Sequence, residues 1–199
     1  SELLQFETSK STEEEKRSFR DYFSDMDPEQ PAIFYITGER SDELSKTPYV
    51  EGILDNNYEI IYMTDMVDEY IVDSICNYRK YPLVSITRED IPIDLDPELK
   101  SVYKEVEESY EGVCSNLLKL LENQVSKVRI SRRLTESPCV ALSTIMGMSP
   151  NMERIIRSQD CFKKTASLLN RKVLELNPNH ILIHALHELH DENKKEAFN

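Results

Sequence analysis

The sequence predicts two structural units, a small three-layer parallel α/β unit followed by an α+β unit in which helices flank a three-stranded sheet. Short apolar, β-rich runs alternate with helical patterns up to about residue 90. The segment EDIPIDLDPELK, with two prolines and five acidic residues, then interrupts this alternation. A long amphipathic helical pattern and three more strand patterns follow it. We therefore place the domain boundary in this segment, which gives units of residues 1–94 and 95–199.

The first predicted element is a helix that begins at Ser11. Glu14 follows three residues later, and this spacing is typical of a capping box, in which two side chains satisfy backbone N–H groups at a helix start. Apolar side chains then recur at helical spacing and predict one buried stripe, formed by Phe19, Tyr22, Phe23 and Met26.

Three buried strands are predicted in the first unit, at residues 32–37, 58–63 and 82–87. Helical patterns separate them, and strands that are joined through helices pair in parallel by right-handed crossovers. The helix before the third strand is expected to have Asp65 as its N-cap. Its apolar residues are expected to lie together: Met66, Tyr70 and Ile71.

The second unit is predicted to open with one long amphipathic helix, 97–123. Residues 127–134 alternate apolar and basic side chains, which predicts a half-buried strand with a basic outer face: Lys127, Arg129 and Arg133. A strand at 139–144 is expected to pair with it as a hairpin across TESP. A third strand at 172–176 and a helix from about residue 179 complete the unit.

The composition is that of a globular protein, with 39% apolar and 31% charged residues among 199. No run approaches the ~20 apolar residues of a membrane span, so we expect no membrane partner. The N-terminus, SELLQFETSK, lacks the basic and apolar regions of a signal peptide. The four cysteines are widely spaced without a CxxC motif, which favours free thiols in a reducing compartment.

The net charge of −13 conceals a basic block. Residues 125–172 contain ten bases and three acids, a net charge of +7 within an acidic chain. One interpretation is a partner-binding surface, and a nucleic-acid-binding module is an alternative function. The other interpretation is a solvated face balanced by the acidic half. Aromatic residues do not interleave with the bases and the overall charge opposes polyanions, so we expect no nucleic-acid partner.

Sequence motifs for catalysis are weak. The chain contains neither GxGxxG nor GxxxxGK[ST], so we expect no nucleotide cofactor bound by this segment and no catalytic residues in it. Cys139 follows Pro138 and has Arg132 and Arg133 nearby, which favours a thiolate and makes it a candidate regulatory thiol. No histidine or asparagine partner is identifiable for a nucleophile.

Three histidines recur on one predicted helix face, at His180, His184 and His187. Three imidazoles on one face can hold zinc, and a zinc-binding enzyme domain is a further alternative function. The sequence HELHD places two histidines three residues apart, whereas the zincin motif needs four. A solvated polar face is the favoured interpretation, and we expect no metal site.

The segment TIMGMSPNMERIIRSQ, residues 144–159, concentrates three of the six methionines around Gly147. Ser149 is expected to cap a helix with Pro150 at its first position. The helix has an apolar side of Met152, Ile155 and Ile156 and a basic side of Arg154 and Arg157. Methionine fills irregular core gaps and also recurs at promiscuous binding surfaces, so core packing and a binding surface both remain open. We expect Met148 and Met152 to be substantially exposed.

Five stretches together resemble the heat-shock protein 90 chaperone family: FYITGE, YMTDMVDEY, SRRLTESPC, NMERI and ELNPNH. They occur in the family's order, and the resemblance extends over nearly the whole chain. It implies the end of the family's middle domain, to about residue 94, followed by most of its C-terminal domain. The implied function is that of an ATP-dependent chaperone that folds, matures and stabilises client proteins.

The resemblance also implies parts that lie outside this sequence. The family's ATP- and magnesium-binding domain would lie upstream, so we expect no ATPase activity in this segment. The helices that form the family's homodimer, and the peptide that recruits cochaperones, would lie downstream. Implied partners are therefore client proteins, cochaperones and, through the absent helices, a second copy.

Relatives in this family contact clients through the loop and helix around NMERI. The positions that match here are Met148, Met152, Ile155 and Ile156, which the resemblance implies as the client-binding residues. FYITGE is similar to cytosolic members, and LTESPC is also similar to organellar ones. We expect a cytoplasmic location, with the endoplasmic reticulum or another organelle as the alternative.

Overall fold

The computed structural model describes residues 4–11, 16–93, 97–158 and 171–197. Two separate sheets organise the chain, a six-stranded mixed sheet and a three-stranded sheet. No helix in these described ranges combines the length and the apolar character that a membrane crossing requires.

The first sheet has the strand order β2-β1-β4-β3-β6-β5. Its three central strands are parallel, as the sequence predicts, and β3 pairs with both β4 and β6. The outer strands pair antiparallel, so the sheet is mixed rather than wholly parallel. Two of them, β2 and β5, are only two residues long, and the four residues of β1 include one apolar side chain, so none gives a clear sequence signal. The strands are β1 (Gln5–Thr8), β2 (Arg17–Ser18), β3 (Ile33–Thr37), β4 (Ile60–Met63), β5 (Asn77–Tyr78) and β6 (Tyr81–Ser85).

Short helices cover this sheet. Apolar side chains pack on both of its faces, with Phe34, Ile36 and Ile60 in one cluster and Phe19, Ile33 and Ile61 in the other. This arrangement is the three-layer packing that the alternating pattern predicts. The helices are α1 (Phe19–Asp25), α2 (Ser41–Leu44), a 3₁₀ turn (Pro48–Val50), α3 (Glu51–Asp55) and α4 (Asp68–Ser74).

The predicted start of the first helix is wrong. The helix begins at Phe19, and Ser18 caps it in a capping box with Asp21. The Ser11 hydroxyl instead donates to the Thr8 carbonyl at 3.0 Å and accepts from the Thr8 N–H at 2.8 Å. Ser11 thus closes a turn after β1, and Glu14 lies outside the described residues.

The predicted start and apolar face of α4 are also wrong. The helix begins at Asp68, whose carboxylate accepts from the Asp65 N–H at 3.0 Å, so Asp65 is not the cap. Met66 and Tyr70 are 66% and 64% exposed. The apolar side chain of this helix that packs into the first unit is Val72, and two acids, Asp68 and Glu69, are also buried.

The second unit differs from prediction in two places. The expected helix 97–123 is two helices that meet at the buried Tyr110. The expected hairpin does not form, because β9 lies between β7 and β8, parallel to the first and antiparallel to the second. The elements are α5 (Pro97–Ser109), α6 (Glu111–Leu120), β7 (Val125–Ile130), β8 (Cys139–Ser143), α7 (Pro150–Ser158), β9 (Lys172–Leu176) and α8 (Ile181–Ala197).

The two units meet at a carboxylate bound by backbone amides. Glu51, at the start of α3, accepts from the N–H groups of Thr135, Glu136 and Ser137 at 2.8–3.3 Å, and from the Ser137 hydroxyl. Burial opposes ionisation of Glu51, but these hydrogen bonds outweigh it and hold the pKa below its ordinary value of 4.5. The TESP segment therefore binds the first unit instead of closing a hairpin.

Gly52 lies at a close approach of the two units. A Cβ atom placed there would lie 2.7 Å from the Arg133 carbonyl oxygen, so a side chain would force the backbones apart. Tyr49, just before it, donates its hydroxyl to the Ala141 carbonyl at 2.9 Å. The first unit thus packs tightly against the edge strand β8 and the segment before it.

The sequence predicted that Arg129 and Arg133 lie on a basic outer face, and this prediction is wrong. Glu175 on β9, 3% exposed, lies 2.7 Å from Arg129 and 3.2 Å from Arg133, and accepts from the Ser131 hydroxyl at 2.8 Å. Arg133 is itself buried, and burial lowers the pKa of its guanidinium. Its Nη1 also donates to the carbonyls of Ile86 and Arg88 in the first unit.

We predict that Glu51→Gln removes a pH-dependent part of the stability. A carboxyl whose pKa is lowered by folding stabilises the fold above its unfolded pKa, and this contribution is lost as the pH falls through the folded pKa. At neutral pH the variant should lose about 1–3 kcal/mol, because it loses hydrogen bonds to a charged group. Urea unfolding across the acid range should show the difference from the unsubstituted chain shrinking below pH 4.5.

Glu43→Gln is the matched control, because Glu43 is an exposed carboxylate with one long ion pair to Arg40. It should leave the free energy of unfolding nearly unchanged at every pH. A constant difference between the Glu51 variant and the unsubstituted chain down to strongly acidic pH would contradict the assigned role of the charge.

We predict that Glu175→Ala is strongly destabilising. The substitution leaves Arg133 buried without its carboxylate, a change that typically costs about 3–5 kcal/mol. Arg129→Ala should cost only about 1 kcal/mol, because Arg129 is partly exposed and Glu175 keeps Arg133 and Ser131. Denaturant unfolding of both variants tests this order, and equal losses would show that burial of Arg133 does not set the cost.

Candidate functional site

The segment around α7 begins as the sequence predicts. The Ser149 hydroxyl accepts from the Met152 N–H at 2.9 Å and Pro150 is the first helical residue. The preceding loop turns at residues 144–147, where the Gly147 N–H donates to the Thr144 carbonyl at 2.9 Å. The predicted N-cap is therefore confirmed.

The predicted exposure of the methionines is wrong in its details. Met148 and Met152 are only partly buried rather than substantially exposed, and so are Ile155 and Ile156. The most exposed apolar side chains of the segment are Ile145 and Met146, at 55% and 94%.

The loop and cap explain this difference. The Ser143 hydroxyl donates to the Met148 carbonyl at 2.7 Å and holds the backbone near β8, while Met146 lies in the turn. Sequence reasoning did not select Ile145 or Met146, although the adjacent Gly147 was a signal for a projecting turn.

Polar contacts join α7 to the first unit. Glu69 of α4 accepts from the Ser149 hydroxyl at 2.8 Å and from the Asn151 amide at 3.0 Å. Arg154 donates to the Asn151 side-chain carbonyl at 2.9 Å and forms an ion pair with Glu39. The first-unit partners lie about 80 or more residues away in the chain, so no local sequence pattern could indicate them.

Further polar contacts join α7 to the second sheet. Lys172, at the start of β9, lies 2.9 Å from Glu153, and Arg157 pairs with the same carboxylate one helical turn away. The predicted basic side of α7 therefore consists of arginines that each have an acidic partner.

The apolar side of α7 does not belong to the main apolar packing. Four clusters of buried apolar side chains are found among the described residues, and none of them includes a residue from 144–158. Met152, Ile155 and Ile156 thus lie at the protein surface with part of their area covered. In the described part of the chain, this arrangement argues against core packing for these side chains.

The three histidines have separate local contacts. His180 accepts from the Leu182 N–H at 3.2 Å, and His184 lies 3.6 Å from Glu188. The His187 ring lies 4.3 Å from the Tyr110 ring, and its Nε2 donates to the Ser109 carbonyl at 3.0 Å. Within the described ranges, no group of three or more metal-ligating side chains converges.

Cys139 is exposed at the start of β8. The cations that were expected to favour its thiolate have carboxylate partners, Arg132 with Glu107 at 2.9 Å and Arg133 with Glu175. The structure therefore gives no geometric support to a role for this thiol.

A groove of about 480 Å³ lies between residues 89–93 of the first unit and α5, α6 and β7. Acidic and basic side chains both line it, including Glu107, Arg129 and Arg132. The ion pair between Glu107 and Arg132 and the contact of Arg129 with Glu175 neutralise much of this charge. The groove thus has no charge excess that selects one class of ligand.

Known proteins resemble the chain over almost its full length. An endoplasmin homolog of Catharanthus roseus is 38% identical over 94% of this chain and 22% of its own length. Heat shock protein 90-5, chloroplastic, of Arabidopsis thaliana is 33% identical over 91% of this chain and 23% of its own. The chaperone protein HtpG of Bacillus subtilis is 32% identical over 98% of this chain and 30% of its own.

The chain thus spans less than a third of the length of these relatives. A further relative is named heat shock protein 90-6, mitochondrial, of Arabidopsis thaliana. Together with the chloroplastic relative, it gives no support to the expected cytoplasmic location over an organelle. The model of the family described as Hsp90 protein matches residues 1–198. From this match and these relatives, the chain belongs to the heat-shock protein 90 family of chaperones.

Proposed function

We propose that this chain supplies client and cochaperone contacts within a longer ATP-dependent chaperone. ATP and magnesium would bind elsewhere in that protein, which would act as a homodimer to fold, mature and stabilise its clients. The names of several relatives support an organellar location as the alternative to the cytoplasm.

The observation that carries the proposal is the position of α7. This helix and the loop before it present four side chains at the surface, partly covered and outside the apolar clusters of the described residues: Met148, Met152, Ile155 and Ile156. Methionine side chains are flexible and polarisable, so they adapt to apolar segments of different shape. A chaperone needs this adaptability because its clients share exposed apolar surface rather than one sequence.

No observation favours either alternative function, the nucleic-acid-binding module or the zinc-binding enzyme domain. Nucleic-acid binding would use the basic block, but Arg129 and Arg133 are occupied by Glu175. Zinc chemistry would use the histidine face, where the His184 and His187 side chains have different partners.

We predict that replacing Met148, Met152 and Ile156 together with serine weakens client binding without a comparable loss of stability. Partly covered surface residues contribute less to folding than core residues, whose truncation costs about 2–5 kcal/mol each. Binding of reduced, carboxymethylated α-lactalbumin, followed by fluorescence anisotropy, should weaken at least about tenfold, since each buried apolar side chain contributes ~1.5–3 kcal/mol.

The matched control replaces Leu120 and Leu182 with serine, since both are exposed apolar residues elsewhere on the second unit. This control should bind the client like the unsubstituted chain. A fall in stability of several kcal/mol in the α7 variant would identify its residues as packing. Equal weakening in both variants would indicate non-specific apolar adhesion.

We also predict that the chain alone does not bind ATP. Its sequence has no glycine-rich phosphate loop of either common type, and so lacks the usual cluster of backbone N–H groups that holds phosphates. Titration calorimetry with ATP and magnesium should show no heat of binding, and micromolar affinity would contradict the assignment of ATP binding to another part of the protein.

A further inference from the structure

We propose that Glu69 is a latch that holds the first turn of α7 against the first unit, so that release of this one carboxylate frees that end of the helix to move. The proposal concerns regulation of the client surface and rests on the proposed function for that consequence. The latch itself is a structural statement about α4 and α7 and can be tested without a client.

The contact is built from buried groups. Glu69 and Asn151 are each 6% exposed, although both belong to surface helices. One carboxylate oxygen, Oε1, accepts from both the Ser149 hydroxyl and the Asn151 amide. A buried carboxylate needs such donors, because water cannot replace them while the contact is closed.

The latch and the helix cap share one hydroxyl. Ser149 Oγ accepts from the Met152 N–H while its own hydrogen is donated to Glu69. The donation to a charged acceptor polarises the hydroxyl and strengthens the cap, since linked hydrogen bonds reinforce one another. Loss of Glu69 is therefore expected to loosen the first turn of α7 as well as its attachment.

A second, weaker link runs from Asn151 through Arg154 to Glu39. Arg154 and Glu39 have largely exposed side chains, and exposed ion pairs contribute little to stability. Glu39 is therefore a suitable comparison for Glu69, because it also reaches α7 from the first unit but does so in solvent.

Release is reversible because polar contacts rather than core packing join α7 to the first unit. None of the described apolar clusters includes its residues. Segments with few buried apolar contacts open locally without global unfolding. In this proposal the first unit covers part of Met152, Ile155 and Ile156, so the closed latch would limit the apolar area that a client can reach.

The test compares Glu69→Ala with Glu39→Ala in the 199-residue chain. Hydrogen exchange of the α7 amides should quicken at least about tenfold in the first variant and less than about threefold in the second. Amides of β4 and β9 should exchange as in the unsubstituted chain, which shows that both sheets remain folded. Unchanged exchange of α7 in the Glu69 variant would overturn the latch.

A second variant tests the latch if Glu69→Ala unfolds the first unit. Asn151→Ala leaves α4 untouched and removes both the amide donor to Glu69 and the acceptor of Arg154. It should quicken exchange of α7 more than Glu39→Ala, which breaks the Arg154 link alone. Unchanged exchange in a folded Asn151 variant would overturn the latch.

Client binding separates the latch from the proposed function. With the latch open, reduced, carboxymethylated α-lactalbumin should bind more tightly. Faster exchange without tighter binding would support the latch and count against α7 as the client surface. Tighter binding without faster exchange would overturn the latch and leave the proposed surface in place.

Discussion

Arg133 must keep its charge inside the protein, and this constraint connects the two sheets. Glu175 on the central strand of the second sheet supplies the opposing charge, at 3.2 Å from the guanidinium. The remaining donors of Arg133 reach the carbonyls of Ile86 and Arg88, just after the last long strand of the first sheet. A buried charge that loses its partner is strongly destabilising, so the contacts of Arg133 favour the arrangement in which both sheets are in place.

Several other contacts between the units also join polar groups, although Tyr49 packs on an apolar cluster of the second unit. Glu51 binds a row of backbone N–H groups and Glu69 binds the start of α7. Such contacts depend on direction and distance, and they exchange readily with water when they open. The junction can therefore be specific in geometry and still allow its parts to separate one at a time.

The sequence pattern predicted the elements better than their partners. The three central strands of the first sheet, the strand at 172–176 and the cap at Ser149 follow from short-range periodicity and were correct. The predicted hairpin and the predicted outward orientation of Arg133 were wrong, because both the strand pairing and the contacts of Arg133 involve residues about 40 positions away. The early capping box was wrong because Ser18 and Asp21 offer an equivalent motif closer to the apolar stripe.

In the candidate site, too, local features were predicted and contacts with distant residues were not. The amphipathic character of α7 is local and was predicted, whereas its attachment through Glu69 spans 80 residues and left no local trace. The methionine exposure was misjudged because a glycine and a proline indicate a turn but not what lies beneath it. Met146 projects into solvent, while Met148 two residues later is held near β8 by Ser143.

Gly52 has a consequence for comparing members of the family. With no room for a Cβ atom beside the Arg133 backbone, the side chain at this position limits how closely the two units can approach. A related chain with a larger residue there must place its units farther apart or rebuild the segment that carries the arginine. The size of the residue at this single position thus indicates, from the sequence of a relative alone, whether its two units can pack at the same spacing.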